Sequence, residues 1–496
     1  MQMNEKSSAF GGAMQFLREY KWRALVLSAL MVIPCLWHRR IEAGDLASHV
    51  YNAWLAQLIG KGQAPGLYIV HQWNNVLCDV ALLHLGNLLG LAAAEKIVVS
   101  GCVLIFFWGV FAFVGAVAQR APWHLTPCIA MLAYGYTFNM GFLNYYVSIG
   151  LACFGLAIAW QGRGWDWLFV VALLPVVLLA HPIGFLWLVG MIAYITLWRK
   201  AGPGWRLLLP VTAVAGFYAF RWYLGTHAQY QADWTEEPFY RLNGTDQLVL
   251  YGDRYLFLAC AALAWGIIYF GAEMFLRRKE SAFWKSIRLA GELYLVAFCA
   301  TALLPENFRV SFYAGWIGLL VWRLTTISSV FGLCVLGCLK PRRWQVAGFA
   351  ACAVFFFGFL YQDTRILNRM EAQAEKLLSG LPPGTKVVTT IIEPHGSRME
   401  FITHIVDRAC VGRCFSYANY EPSSGQFRIR VREGSPVVTA SADDSEDIEG
   451  GAYEVQEEDL PLKLVYQCDY RDLSKLCLRD LAEGETTGQF SARPPQ

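Results

Sequence analysis

Up to about residue 362 the chain alternates between long apolar runs and short polar connections, and beyond that point its character changes. Apolar runs lie near 24–37, 97–118, 122–138, 145–160, 166–180, 183–198, 206–223, 254–276, 289–304, 324–339 and 344–362. A helix crosses a hydrocarbon core in about 20 residues. The runs therefore predict an all-α polytopic membrane bundle of about eleven spans, with several ends extending into the flanking loops. Arg323 interrupts the apolar pattern between the last two spans, and 311–321 reads as an interfacial or partly inserted segment. The first run follows a short, mildly basic stretch without a small-residue cleavage site, so it reads as a retained helix rather than a removed signal peptide.

Two regions depart from this pattern. The first is a long connection between the first two spans, 38–96. Within it, Leu46, Val50, Ala53, Trp54 and Leu58 recur at helical spacing, which predicts an amphipathic helix lying on the outer membrane surface. The second is the tail, 363–496. It opens with a helical stretch, Arg365–Leu378, turns at Leu381-Pro382-Pro383-Gly384, and continues into a strand-like Lys386–Ile392 and a flexible acidic stretch at 443–459. The expected division is a membrane module, 1–362, followed by a small extracytoplasmic α/β domain, 363–496.

Basic residues set the orientation. With the N-terminus in the cytoplasm, Arg199-Lys200, Arg277-Arg278-Lys279, Lys340 and Arg342-Arg343 all fall on the inner side, as the positive-inside rule requires. An odd number of spans then exports the tail. Such a protein is expected in a bacterial inner membrane.

Composition narrows the class. Hydrophobic residues make up 56% and charged residues 16%, against about 25% charge in soluble domains, which excludes a soluble cytosolic enzyme. Net charge is only +3, so nucleic acid is not an expected partner. Of 14 cysteines, four (Cys410, Cys414, Cys468 and Cys477) lie in the tail. An even number in an exported domain predicts one or two disulfides, with pairing open. The rival, a zinc site, suits this spacing poorly. No Walker-type loop, His-Glu-x-x-His or Gly-x-Ser-x-Gly motif is present, and no metal or other cofactor is assigned.

The charged and imidazole groups left after removing inner-loop basics gather at the outer ends of the predicted spans. Glu42, Asp45, His49, His71 and Asp79 lie in the first loop, and His181 precedes Pro182 in a tight turn. Asn139 and Asn144 occupy the turn 138–144, Arg254 follows the 225–253 loop, and Glu306 and Arg309 belong to a turn at 305–309. Ionisable groups at membrane depth are costly and therefore candidates for function; a bundle would face this set toward one outer cavity, the alternative for any single residue being an interfacial polar group facing water.

The segment Gly44-Asp45-Leu46-Ala47-Ser48-His49-Val50-Tyr51-Asn52-Ala53-Trp54, followed by Gly62 and Pro65-Gly66-Leu67-Tyr68, resembles the first outer loop of superfamily C glycosyltransferases. The resemblance implies a polytopic enzyme using lipid-phosphate-linked sugars, with an acid at the end of the first helix and a soluble outer domain at the C-terminus. The motif match is confined to about 40–95. Asp45 is not part of a paired-acid motif, and 138–145 holds no acid, unlike many members.

Glycosyl transfer needs a base for the acceptor hydroxyl and cations for the departing phosphate. Asp45 is the expected base, with His49 one helical turn on as helper; the structural alternative for Asp45 is an N-cap. Arg309 and Arg254 are the expected phosphate ligands, since guanidinium binds phosphate oxygens bidentately. His181, His71 and Asn144 are expected to contact substrate, His181 having a turn-stabilising role as its alternative. Arg39 and Arg40 are expected at lipid headgroups. The expected partners are a lipid-linked sugar donor, membrane lipids and a glycan, lipid or protein acceptor. A secondary transporter is the competing function, but transporters carry midplane charges and internal repeats, which this chain does not display. A non-catalytic assembly factor for surface polysaccharide is the other.

Overall fold

The computed structural model describes residues 9–161, 164–227, 232–236, 242–309, 316–391, 398–399, 404–469, 472 and 474–490. Among them, eight helices are long and apolar enough to cross a membrane: Leu91–Ala118, Leu143–Gln161, Pro182–Lys200, Pro203–His227, Asp253–Arg277, Ser281–Leu303, Leu320–Gly337 and Arg343–Leu378. Each contains one of the predicted runs, or most of it. The other three runs take different forms. The first, apart from Trp37, lies within the longer helix Ala9–Leu36. Residues 166–180 form the 15-residue helix Asp166–Ala180. The run 122–138 is broken into Trp123–Leu125, Thr126–Ala133 and Tyr136–Asn139.

The chain divides into two compact units. One comprises Met1–Ile33, Gly101–Phe138 and Asn144–Phe359; the other comprises Pro34–Ser100, Asn139–Leu143 and Leu360–Gln496. The first is a helical bundle in which small residues allow close crossing: an added Cβ at Gly109 would lie 2.1 Å from the Gly150 carbonyl oxygen. Phe106 stacks on Tyr146 beside this crossing, with centroids 4.3 Å apart. The helix Pro203–His227 exposes Trp205, Leu207, Val211, Tyr218 and Trp222, an apolar surface suited to lipid. Residues 305–309, expected to turn, instead end in the strand Asn307–Arg309, which pairs with Ala232–Asp233 and Trp316–Ile317. Of the segment 311–321, residues 311–315 lie outside the described residues, and the next helix already begins at Leu320, ahead of Arg323.

In the second unit the C-terminal region forms a four-stranded sheet in the order Phe415–Ser416, Lys386–Thr390, Leu462–Gln467, Leu476–Leu481. The first two pairings are parallel and the last antiparallel. The predicted strand is thus present, although Ile392 lies outside the described residues. Val388, Ile448, Val455, Leu462, Leu464 and Leu481 form the core of this sheet. Leu67–Ile69, from the first loop, pairs antiparallel with Ile429–Val431, so loop and tail share one unit.

Two expectations are corrected here and a third is refined. The helix Leu46–Gly60 is not a surface helix: Leu46, Ala47, Ser48, His49, Val50, Tyr51, Asn52, Ala53, Leu55 and Ala56 are all buried. Its polar residues find partners inside the protein, which makes burial tolerable. The acidic stretch at 443–459 is not a flexible insertion. It forms the helix Ala442–Gly450, capped by Ser441, and Asp459 is buried while accepting hydrogen bonds from Tyr417 and Tyr453, both at 2.7 Å. The tail cysteines pair with each other, as Cys410–Cys414 and Cys468–Cys477, which removes the zinc alternative.

Candidate functional site

The loop–tail unit holds a cluster of acids and imidazoles around Asp45. Asp45 stands at the position before the helix Leu46–Gly60, yet its side chain makes no capping hydrogen bond. Backbone contacts hold it instead. Gly44 N donates to Asn139 O at 2.7 Å, Asp45 N donates to Met140 O at 3.0 Å, and His49 N donates to Asp45 O at 2.9 Å. The carboxylate is therefore available for chemistry, with 26% of its side chain exposed.

Two histidines flank it. Asp45 Oδ1 lies 3.8 Å from Nε2 of His404, whose Nδ1 is 3.1 Å from Asp407 Oδ2. The other Asp407 oxygen accepts a hydrogen bond from Ser416 Oγ. The Tyr420 ring covers the His404 imidazole at 5.1 Å. One helical turn after Asp45, His49 Nδ1 is 2.8 Å from Asp79 Oδ1 and 3.5 Å from Glu421 Oε1. Below this pair, Asn52 and Asn419 exchange amide hydrogen bonds at 2.8 and 3.4 Å.

The electrostatics follow from burial set against charge. Burial opposes the His49 imidazolium, but Asp79, Glu421 and Asp45 outweigh it and push the pKa up to about 9. His404 behaves alike: burial disfavours its charge, while Asp407, Glu449 and Asp45 push it up to about 10. Burial raises Glu421 to about 7, with Asp79 and Asp45 adding to the effect and His49 and Arg428 opposing it. The surrounding carboxylates thus favour the protonated form of both imidazoles.

A buried ion network anchors the chain just before Asp45. Arg408 clasps Glu371 with two nitrogens and also reaches Glu95 at 2.9 Å, Glu42 at 3.3 Å and the Ile41 carbonyl at 2.9 Å. Arg40 pairs with Glu371 and Glu375, and its backbone nitrogen donates to Asn368. Burial and the neighbouring Glu371 keep the Glu42 carboxyl well above the usual range, with Glu95 adding to this and Arg408 and Arg40 opposing it. Arg40 is thus a buried structural ion rather than a headgroup contact, whereas Arg39 remains 77% exposed.

His71, in the same unit, is exposed beyond the strand Leu67–Ile69. The remaining sequence candidates belong to the bundle unit. Arg309 is exposed at the end of its strand. Arg254 lies over the Phe359 ring at 4.9 Å. Asn144 is buried near the start of Leu143–Gln161. His181 caps the helix Pro182–Lys200, its Nδ1 accepting from Ile183 N at 3.1 Å, and its ring meets Tyr145 edge-on. That is the turn-stabilising alternative. Sequence reasoning missed His404, Asp407, Arg408, Asn419, Tyr420 and Glu421; the one local signal was the His-x-x-Asp spacing of His404 and Asp407 at a helix start.

No protein-family model, curated protein or solved structure matches this chain, so its own geometry carries the functional reading.

Proposed function

We propose that the chain is an integral membrane glycosyltransferase that moves a sugar from a polyprenyl-phosphate-linked donor to an acceptor hydroxyl at the outer face of a bacterial inner membrane. In this proposal about eleven segments cross the bilayer, the N-terminus is cytoplasmic and the C-terminal region is extracytoplasmic. The reading rests on the Asp45 carboxylate, which is partly exposed, is not used as a helix cap, and is flanked by two buried imidazoles.

Asp45 takes the acceptor proton as the acceptor oxygen forms its bond to the anomeric carbon. The bond from that carbon to the phosphate oxygen breaks, its electron pair leaves with the polyprenyl phosphate, and configuration inverts. Arg309 is the leading phosphate ligand, being an exposed guanidinium, and Arg254 the second. His49, paired with Asp79 at 2.8 Å, stands one helical turn from Asp45 as its helper. His71 and Asn144 remain substrate contacts in this proposal, and His181 contributes by fixing its turn.

The test is transfer of radiolabelled sugar from polyprenyl-phosphate donors by purified protein. General-base catalysis contributes on the order of 10²–10⁴-fold, so Asp45→Asn should express normally and lose at least about a hundredfold in rate. Turnover within a few-fold of wild type would remove Asp45 from the chemistry. Absence of transfer with every lipid-phosphate sugar would remove the activity.

A further inference from the structure

We propose that His404 is a positioning residue for Asp45: held by Asp407 on one ring nitrogen, it grips one carboxylate oxygen of Asp45 with the other and leaves the second oxygen for the acceptor. The proposal rests on the glycosyl-transfer reading and extends its site into the C-terminal region.

Both ring nitrogens of His404 face carboxylates, Nε2 toward Asp45 at 3.8 Å and Nδ1 toward Asp407 at 3.1 Å. With Nδ1 hydrogen-bonded to Asp407 and Nε2 at ion-pair distance from Asp45, the two carboxylates favour the doubly protonated ring. In that form the ring is a charged partner for Asp45 rather than a proton acceptor. The ring is also locked from behind. Ser416 donates through its hydroxyl to Asp407 and through its backbone nitrogen to Tyr51 Oη at 2.9 Å, while Tyr420 covers a face. The His404 side chain is 9% exposed, whereas that of Asp45 is 26% exposed, so the exposed end of the pair belongs to the carboxylate. Separation at ion-pair rather than hydrogen-bond distance is the looseness expected of catalytic contacts before substrate is bound.

Other charges face the pair. Asp407 and Glu449 act on His404, and Asp45 in turn acts on His49, Tyr420 and Glu421. His404 and His49 are the cations of this set, so removing His404 leaves Asp45 in a more negative surrounding.

Two measurements on the full-length protein test the proposal. The first does not depend on activity. With ¹³C-labelled histidine, the His404 resonance is identified by its loss in His404→Gln, and its titration midpoint is then compared between wild type and Asp45→Asn. Loss of the carboxylate should lower the midpoint by about one unit or more; an unchanged midpoint overturns the pairing. The second is steady-state transfer by His404→Gln, whose fold is checked by thermal melting. The turnover number should fall at least tenfold with acceptor KM nearly unchanged. A merely structural histidine would lower the melting temperature while leaving the turnover number per folded protein near wild type, and that result overturns the positioning role. If wild type transfers no sugar, the glycosyl-transfer reading fails, while the resonance measurement still decides whether Asp45 and His404 are paired.

Discussion

A Cβ placed on Gly141 would lie 2.5 Å from the backbone nitrogen of Asp45 and 2.6 Å from that of Leu46. Gly141 also has a φ of +79°, and the carbonyl of its neighbour Met140 accepts the Asp45 N–H. The turn around 138–144 contributes no acid, yet its backbone sets the height and direction of the carboxylate. Gly141→Ala is therefore expected to lower transfer activity by roughly tenfold to a hundredfold, the effect of an ångström-scale misplacement. Gly62 has a φ of +70° but open space around it, so Gly62→Ala should incur only a conformational cost and keep near-normal activity. Equal effects in the two variants, measured as rate per folded protein, would show that the close approach to Asp45 is irrelevant.

The network below Asp45 predicts two opposite outcomes. Arg408→Gln leaves Glu371, Glu95 and Glu42 without their shared cation, and breaking a buried pair from one side typically costs about 3–5 kcal/mol. Glu42→Gln should cost far less, because burial and Glu371 already favour the neutral form of that carboxyl. Denaturant melts of the two variants decide this. A large loss in Glu42→Gln would mean that Glu42 is charged in the folded protein.

Stability should fall as pH rises above neutrality. His49 is raised from 6.5 to about 9 and His404 from 6.5 to about 10. A raised folded pKa stabilises fully below the unfolded value, and that contribution is lost as pH climbs through the folded value. Glu421, raised from 4.5 to about 7, adds an earlier loss between those values. Melting temperature is thus expected to decline between pH 7 and 10. Asp79→Asn should move the His49 part of the decline to lower pH. A flat profile across this window would contradict the charged state of both histidines.

The proposed topology can be checked chemically. Cys410 and Cys414 are fully buried, whereas Cys468 is more accessible. After mild reduction of intact cells, a membrane-impermeant thiol reagent should label Cys468 and its disulfide partner Cys477, and the double variant Cys468→Ser/Cys477→Ser should abolish that signal. Labelling of Cys468 only after lysis would place the C-terminal region in the cytoplasm.

Much of this protein was determined by sequence pattern alone. Apolar runs of sufficient length are an intrinsic property of a segment, so the eight long helices were visible before any fold was known. So was Asp45, whose place between the first helix and an amphipathic run is local information. The even cysteine count in the tail pointed to disulfides, though not to which residues pair. Periodicity, however, reports only that a face is apolar, not what covers it. Leu46–Gly60 therefore read as a lipid-surface helix, while in the structure Asp79, Asn419 and Glu421 meet its polar residues. Arg39 and Arg40 are the same residue side by side, yet one is exposed and the other buried among glutamates. Tertiary structure alone decided that His404, far along the chain and held by Asp407, would stand against Asp45. Contacts between distant segments leave no periodic trace in either one, because the energy that selects them comes from burying charge against charge once the chain has folded.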